Sequence, residues 1–473
     1  MTTNQSAWRK RLLLPGLLGV ACLLAGTAHS VSAVPAKPNL VLIVADDLGW
    51  RDIGYNGAQA KTPNLDRISA EGLRFERFYA QPLCTPTRAA LMTGRYPWRS
   101  GMASGVILNH LHYGLPLDET TLAQTLKKAG YATDMVGKWH LGHETPAYLP
   151  TERGFDYHYG LYTAIDHFTH MWQGGLDWHR NRKAVREEGY ATDLLGDDCV
   201  RLIKEHDFSK TPLFLYHPMF AVHAYNQAPE KYTAAYADVK DEDRRKLLGL
   251  CAAMDFQFGR IIDALKEAGQ LDNTFVFFFS DNGGNLHAAA DNGPLRDGKG
   301  TYYEGGVRVP AFAYWPGKIE PGKTTEALAY VADIYPTLAA LAGAPLPDKP
   351  LDGIDLAPVL FKNATASGRK EIVFMLEDSE RQRRGALIEW PWKLRRSANP
   401  KARSFTFELY NIADDPSEKN DVSASHPELV GRLSARLDDL KKDAPPAFWK
   451  KGDGQAPKGW KAPPIIGPDQ ETD

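Results

Sequence analysis

Cysteine is scarce in this chain, four residues in 473, and the scarcity limits what disulfides could do. Cys22 sits in an amino-terminal apolar run, which leaves Cys84, Cys199 and Cys251, so at least one thiol is unpaired. Cys199 and Cys251 fall in apolar helical patterns (Leu194, Leu195, Leu202; Leu247, Leu250, Met254) and read as small core residues in preference to a disulfide pair. Net charge is lacking as well. Lys plus Arg number 56 against 58 Asp plus Glu, which gives no basic footprint for nucleic acid. No segment reaches the ~20 apolar residues that a membrane-spanning helix needs, and no fixed-period repeat is present. Gly and Pro are dispersed, and 43% apolar with 24% charged residues excludes collagen-like and disordered chains.

The amino terminus carries Arg9, Lys10 and Arg11, then an apolar run from Leu12 to Ala25 interrupted by Pro15 and Gly16. Val31-Ser32-Ala33 follows, with small residues where a signal peptidase reads. Residues 1–33 are therefore expected to be a signal peptide, and the mature protein to be exported, periplasmic or secreted, and not an integral membrane protein. Gly19-Val20-Ala21 before Cys22 makes a poor lipobox.

Continuous apolar runs of strand length suit strands buried on both faces of a parallel sheet. Asn39–Ala45 is one, and it ends in Asp46-Asp47. Phe275–Phe279 is another and ends in Ser280-Asp281-Asn282-Gly283-Gly284. Tyr131–Val136 leads into Gly137-Lys138-Trp139-His140, and Leu213–Tyr216 leads through His217 to His223. Helical patterns lie between, one capped by Thr62-Pro63 and stopped by Gly72, one capped by Asp118 and stopped by Gly130, and one from about Arg245 to Ala268. The alternation predicts an α/β fold, a large, mixed, mostly parallel sheet sandwiched by helices. In such sheets ligands bind outside the carboxyl ends of the strands. One site built from Asp46, Asp47, Lys138, His140, His223, Asp281 and Asn282 is therefore expected. Singly, each motif reads as a turn, a cap or a structural histidine; four strand ends with ionisable or amide groups at one rim are the signal.

Three carboxylates and an amide oxygen, with no His or Cys at metal-ligand spacing among them, suit a hard divalent cation. Calcium, which tolerates irregular geometry, is placed ahead of magnesium. Cys84 stands at the start of a plausible helix, Pro86-Thr87-Arg88-Ala89-Ala90-Leu91-Met92, with Arg88 within a turn. A thiolate is a soft ligand beside a hard cation, and an exposed thiol oxidises outside the cytoplasm. The chemistry is mismatched unless Cys84 is modified.

Several motifs together resemble the formylglycine-dependent (type I) sulfatases of the alkaline phosphatase superfamily. They are Cys84-Thr85-Pro86-Thr87-Arg88 with Thr93-Gly94, Val44-Ala45-Asp46-Asp47-Leu48-Gly49, Gly137-Lys138-Trp139-His140-Leu141-Gly142, Ser280-Asp281-Asn282-Gly283-Gly284, and Gly298-Lys299-Gly300 before Tyr303-Glu304-Gly305-Gly306-Val307-Arg308. The match runs in order from about Asn39 to beyond Asp421. It implies an alkaline-phosphatase-like fold, a formylglycine made from Cys84 by a maturation enzyme, and calcium held by Asp46, Asp47, Asp281 and Asn282 with residue 84 nearby. Thr87 stands where the family pattern has Ser or Ala. The implied activity is sulfate ester hydrolysis on a sulfated small molecule or glycan, with a phosphonate or phosphate monoester hydrolase of the same superfamily as the alternative.

The roles that the resemblance implies agree with what the reaction needs. One hydroxyl of the hydrated aldehyde attacks sulfur while calcium, Lys138 and Lys299 offset charge on the sulfuryl oxygens. His223 or Lys299 protonates the leaving oxygen, and His140 deprotonates the remaining hydroxyl so that sulfate is expelled. Arg88 and Lys138 orient the nucleophile. The stretch Asp166–Arg182 is dense in aromatic and cationic groups, and Asp166, His170, Trp178 and Arg180 are candidate substrate-binding residues. Together with Leu149-Pro150-Thr151-Glu152-Arg153-Gly154-Phe155-Asp156 the layout is most similar to the arylsulfatase B type. Residues 34–365 are read as the catalytic domain. Residues 366–445 are read as a small antiparallel sheet plus helix, with strands at Ile372–Leu376, Gly385–Trp390, Trp392–Arg395 and Phe405–Ile412 and a helix from His426 to about Leu440. Residues 446–473 are read as an extended tail.

Overall fold

Asn39–Ala45 forms the central strand of a ten-stranded sheet. Its flanking strands come from far along the chain, Leu213–Pro218 on one side and Thr274–Ser280 on the other, both parallel to it. Across the sheet the order is Lys323–Thr325, Leu73–Phe75, Ala311–Tyr314, Thr274–Ser280, Asn39–Ala45, Leu213–Pro218, Ala132–Lys138, Tyr157–Leu161, His179–Arg180 and Lys183–Ala184. The inner strands from Thr274–Ser280 to Tyr157–Leu161 are mutually parallel, and the Ala311–Tyr314 and His179–Arg180 strands bordering them are antiparallel. This is the mixed, mostly parallel sheet expected. The computed structural model describes residues 37–377, 383–399, 404–442, 444–450 and 452–468. The expected signal peptide at residues 1–33 and Cys22 lie outside the described residues.

Side chains alternate across a strand, so a run apolar at every position must be covered on both faces. Leu40, Leu42 and Val44 pack with Phe277 and Phe279 beneath the helix Cys84–Thr93, and Val41, Ile43 and Ala45 pack with Val276 and Phe278 beneath the helices Pro63–Ala70, Ala191–Glu205 and Glu242–Glu267. Cys199 and Cys251 sit in the second layer as free, buried thiols, as their apolar surroundings suggested. The helix expected after Asp118 starts later, at Leu122, because Thr121 and Gln124 form a reciprocal capping box. Asp118 instead accepts from Lys349 Nζ at 2.8 Å.

Ile372–Glu377, Arg383–Glu389, Trp392–Asn399 and Ser404–Asn411 form an antiparallel sheet backed by the helix Pro427–Lys441. Leu387, Leu394, Leu409, Leu433 and Leu437 join the same apolar layer as the central strand. A charged group also crosses this junction. Lys393 Nζ lies 2.9 Å from Glu304 Oε1 and 3.0 Å from Glu418 Oε1, with all three side chains buried. Tyr79 donates to the other Glu304 oxygen at 2.9 Å. The segment after Pro445 runs back across the large-sheet side, where Phe448 N–H donates to Gly101 O. No helix among the described residues is long and apolar enough to cross a membrane.

Candidate active site

The carboxyl ends of the inner strands deliver their side chains to one place. Asp46 and Asp47 follow the central strand, Lys138 ends the strand Ala132–Lys138, and Asp281 and Asn282 follow Thr274–Ser280. His140 lies two residues past its strand and His223 comes from the turn after Leu213–Pro218. Asp47 and His140 both hold left-handed backbone, φ 63° and 60°, a conformation that side chains other than glycine adopt at a cost of about 1 kcal/mol or more.

Cys84 opens the helix Cys84–Thr93, which is buried throughout, and Leu83 before it offers no side-chain cap. Its sulfur is 3.4 Å from Asp46 Oδ1. Ligand atoms of Asp46, Asp47, Cys84 and His223 lie within 4.8 Å of one another. Arg88, one turn into the helix, donates from Nη2 to Asp46 Oδ2 at 3.1 Å and to Asp281 Oδ2 at 2.8 Å, and from Nη1 to Lys138 O at 2.7 Å. Asp281 Oδ1 also receives the Asp47 N–H at 3.2 Å. Lys138 Nζ reaches Asp46 Oδ2 at 2.7 Å, and Lys299 Nζ reaches Asp47 Oδ2 at 2.6 Å. Every sequence-predicted metal and catalytic residue is thus in one cluster.

The donor set can be tested against a hard cation. Asn282 gives its amide N–H groups to Asp47 Oδ1 at 2.7 Å and to Gly283 O at 3.0 Å, and its Oδ1 is buried with no hydrogen-bond partner. A buried acceptor left without a donor costs stability unless something electropositive faces it. With the Asp47 carboxylate beside it, this oxygen fits a hard divalent cation.

Electrostatics decide the protonation states. Burial opposes ionisation of Asp46, but Lys138, His223 and Arg88 outweigh it and hold the carboxyl well below the usual range. Burial and the nearby Asp46 carboxylate push Asp281 up. The Cys84 thiol is also pushed up, by burial first and then by Asp281 and Asp46, so an unmodified thiol here is not a thiolate nucleophile. Burial lowers Lys299, yet Asp47 and its acidic surroundings raise it overall. Burial, then Lys138 and Arg88, depress His140; burial, then Lys299, bring His223 down to about 4.

Hydrogen bonds fix the imidazole tautomers. His140 Nε2 lies 3.0 Å from Ile107 O, which can only accept, so Nε2 carries the hydrogen and the buried Nδ1 is a bare acceptor without a partner. His223 Nδ1 donates to Ala224 O at 2.6 Å, leaving Nε2 facing Asp47 Oδ2 at 3.7 Å.

Sequence reading did not assign roles to the residues that hold these groups. Thr85 Oγ1 donates to His140 O at 3.0 Å and accepts from Ile107 N–H at 3.2 Å. Thr87 Oγ1 donates to Asp281 O at 2.5 Å and accepts from Gln81 N–H at 2.9 Å, so the hydroxyl at the unusual position is in use. Gly283 is obligatory, because a Cβ there would lie 1.8 Å from Gly305 O. Gly305 and Gly306 in turn pack on the carbonyls of Asp297 and Thr301, either side of Lys299.

The four expected substrate residues are engaged in contacts within the protein. His170 and Trp178 stack on each other, centroids 4.3 Å apart, and both are buried. Arg180 pairs with Asp198 at 3.0 Å and lies over the Tyr159 ring. Asp166 accepts from Gln227 Nε2 at 2.6 Å and from the Phe168 and Thr169 N–H groups. They hold one another and their loops; periodicity could not tell a packed aromatic loop from an open one. The open apolar surface of this region is at Phe168, Met171 and Tyr225, 45%, 36% and 58% exposed, with Trp172 half-buried.

Comparison with known proteins agrees with this geometry. The family model described as Sulfatase matches residues 38–344, and one described as N-sulphoglucosamine sulphohydrolase, C-terminal, matches residues 297–443. Human arylsulfatase A is 38% identical over 446 residues, 87% of this chain and 83% of its own length. Mouse arylsulfatase J is 33% identical over 480 residues, 91% of this chain and 79% of its own length. The crystal structure of Ps i-CgsB in complex with k-i-k-neocarrahexaose superposes with a TM-score of 0.81 at 34% identity, covering 88% of this chain and 95% of that one.

Proposed function

The chain belongs to the sulfatase family and is a sulfuric ester hydrolase, and from that premise we propose that it cleaves a sulfated carbohydrate or aryl sulfate with residue 84 converted from cysteine to formylglycine and a calcium ion beside it. The carrying observation is the mismatch at Cys84. The thiol is 1% exposed, its proton is held by burial and two carboxylates, and yet it sits at the centre of the cluster. A thiol in that place does no nucleophilic work; an aldehyde hydrate would. Once converted, residue 84 supplies two hydroxyls on one carbon, one to attack sulfur and one to release sulfate afterwards. Asp46, Asp47, Asp281 and Asn282 would hold the calcium ion, which would supply positive charge against the sulfuryl oxygens.

The other roles fall to groups whose geometry supports them. Lys138 and Lys299, both ammonium groups facing the carboxylates, offset charge on the bound sulfate, and Arg88 fixes Asp46 and Asp281 relative to the helix that carries residue 84. His140 Nδ1 is the bare acceptor that takes the hydroxyl proton when sulfate leaves. His223 Nε2 protonates the leaving oxygen. Burial first, then Lys299 and Lys138, depress it in the resting site; an anionic sulfate between the lysines would oppose their share and favour the protonated imidazole. The oligosaccharide in the Ps i-CgsB structure favours a carbohydrate ester. The family model and the curated relatives leave the phosphate or phosphonate alternative unfavoured.

Export through residues 1–33 and conversion by a formylglycine-generating enzyme belong to the same reading, as do a catalytic domain at 34–365, a subdomain at 366–445 and a tail at 446–473. The test is the mass of the Cys84 peptide from native enzyme alongside sulfate release from aryl and carbohydrate esters. An aldehyde mass with sulfate release supports the reading. A thiol mass in fully active enzyme refutes the nucleophile, and faster turnover of matched phosphate esters refutes the substrate class.

A further inference from the structure

The segment after residue 443 lies beyond both family matches, which end at residues 344 and 443, yet it is bound to the rest of the molecule at two places. At the first, Phe448 stacks on Tyr113 with centroids 5.3 Å apart, His110 Nε2 meets Asp453 O at 3.0 Å, and Trp449 covers Gly105, where a Cβ would lie 2.2 Å from its ring. At the second, Pro463–Ile466 forms a single parallel bridge to a hairpin. Leu176 N–H donates to Pro464 O at 2.9 Å, Ile466 N–H donates to Leu176 O at 2.8 Å, and the Ile466 side chain is buried.

That hairpin is minimal, Met171–Trp172 paired with Gly175–Leu176. Two strands of two residues do not hold themselves in water; a third strand or a packed face is needed. Trp172 stands opposite Gly175, and Gly175 is the residue on which the tail closes, with Pro463 O 2.5 Å from where its Cβ would be. On its other side Trp172 meets Tyr225, centroids 5.7 Å apart. Tyr225 is two residues past His223, whose Nδ1 is tied to the intervening Ala224. The contacts therefore run unbroken from the tail through the hairpin and the aromatic pair to the backbone that holds His223.

Resting on the function proposed above, we propose that Pro463–Ile466 is a specificity element. It holds the hairpin so that Trp172 and Tyr225 form an aromatic wall beside His223, and the wall binds the pyranose ring that bears the ester. An aromatic face takes the C–H side of such a ring. The surroundings are polar, with Gln173 exposed at the hairpin turn and Asp166 joined to Gln227 close by, which suits a ring with hydroxyl edges better than a bare aryl group.

The test compares the full chain, a chain ending at Ala462, Trp172→Ala and the combination, by sulfate release from an O-sulfated monosaccharide. Trp172→Ala is expected to raise KM about tenfold with kcat changed by less than about threefold. The shortened chain does the same, and the combination is no worse than Trp172→Ala alone, because both act on one wall. Additive losses, a fall in kcat at constant KM, or a KM rise confined to an aryl sulfate overturn the proposal. Where the shortened chain does not fold, Ile466→Ser in the full chain replaces it with the same expectations. If the full chain releases no sulfate from any ester, the function proposed above fails. Saturation-transfer NMR with the desulfated monosaccharide then decides the wall, transfer lost in Trp172→Ala supporting it and transfer absent or unaltered refuting it.

Discussion

Replacing Lys393 by methionine keeps an unbranched apolar stem, one atom shorter, and removes the charge together with its N–H donors. In the folded protein that ammonium lies 2.9 Å from Glu304 and 3.0 Å from Glu418, with no solvent contact for any of the three. Removing one partner of such a group leaves carboxylates buried without their cation, a loss of about 3–5 kcal/mol. The upper half of that range is expected, since two acids lose one base; Arg308, at 3.7 Å from Glu304, compensates only in part. The loss should depend on pH. Burial, the larger cause, already raises Glu418 above its ordinary value, and Lys393 opposes that rise. Without Lys393 the folded-state value climbs further. A carboxyl raised in the folded state favours folding below its unfolded value and loses that contribution as pH rises through the folded one. The variant should therefore be most destabilised near pH 8 and recover part of the loss toward pH 5. Urea unfolding at both values measures this, with Glu418→Gln in the Lys393→Met background expected to restore stability at pH 8. A variant within about 1 kcal/mol of the parent at pH 8, or one made no better by Glu418→Gln, would refute the reasoning.

Two other outcomes are expected. Cys84→Ala should abolish sulfate release while the circular dichroism spectrum and unfolding midpoint stay close to the parent's, because the side chain contributes one small buried group to a helix that its neighbours hold; retained turnover would remove residue 84 from the chemistry. Asn282→Leu, similar in volume, removes the unpartnered oxygen and the amide bond to Asp47. Calcium affinity by isothermal titration should fall by at least about tenfold, and with it the stabilisation of about 2.7 kcal/mol that a ligand gives at a hundred times its dissociation constant.

The strands and the rim were legible because chemistry and periodicity coincide there. The run Asn39–Ala45 is apolar at each position and ends in two acids, and the strand has those bounds. The C-terminal sheet was legible in the same way, its helix found at Pro427–Lys441. Less was legible where the deciding contact is long-range. Nothing local distinguishes Thr121 from Asp118 as a cap, since the choice rests on Gln124 and on where Lys349 folds back. Trp178 and Trp172 are six residues apart in the same aromatic stretch, yet one is fully buried beneath His170 and the other faces outward, a difference set by the hairpin and by residues near 465. Thr85 and Thr87 hold the site through backbone carbonyls 55 and 194 residues away, partners that no spacing rule reveals.

The central strand has a consequence in time. Its two neighbours are made of residues 213–218 and 274–280, so the rim cannot close until more than half the polypeptide has been synthesised, and pairings this distant in sequence form slowly. Until then the sulfur of residue 84 is open to whatever catalyst or oxidant reaches the nascent chain. Afterwards it is the 1% exposed first residue of a buried helix. Folding thus sets a deadline for any covalent change at that position that needs a macromolecular catalyst, and a molecule that misses it keeps its thiol.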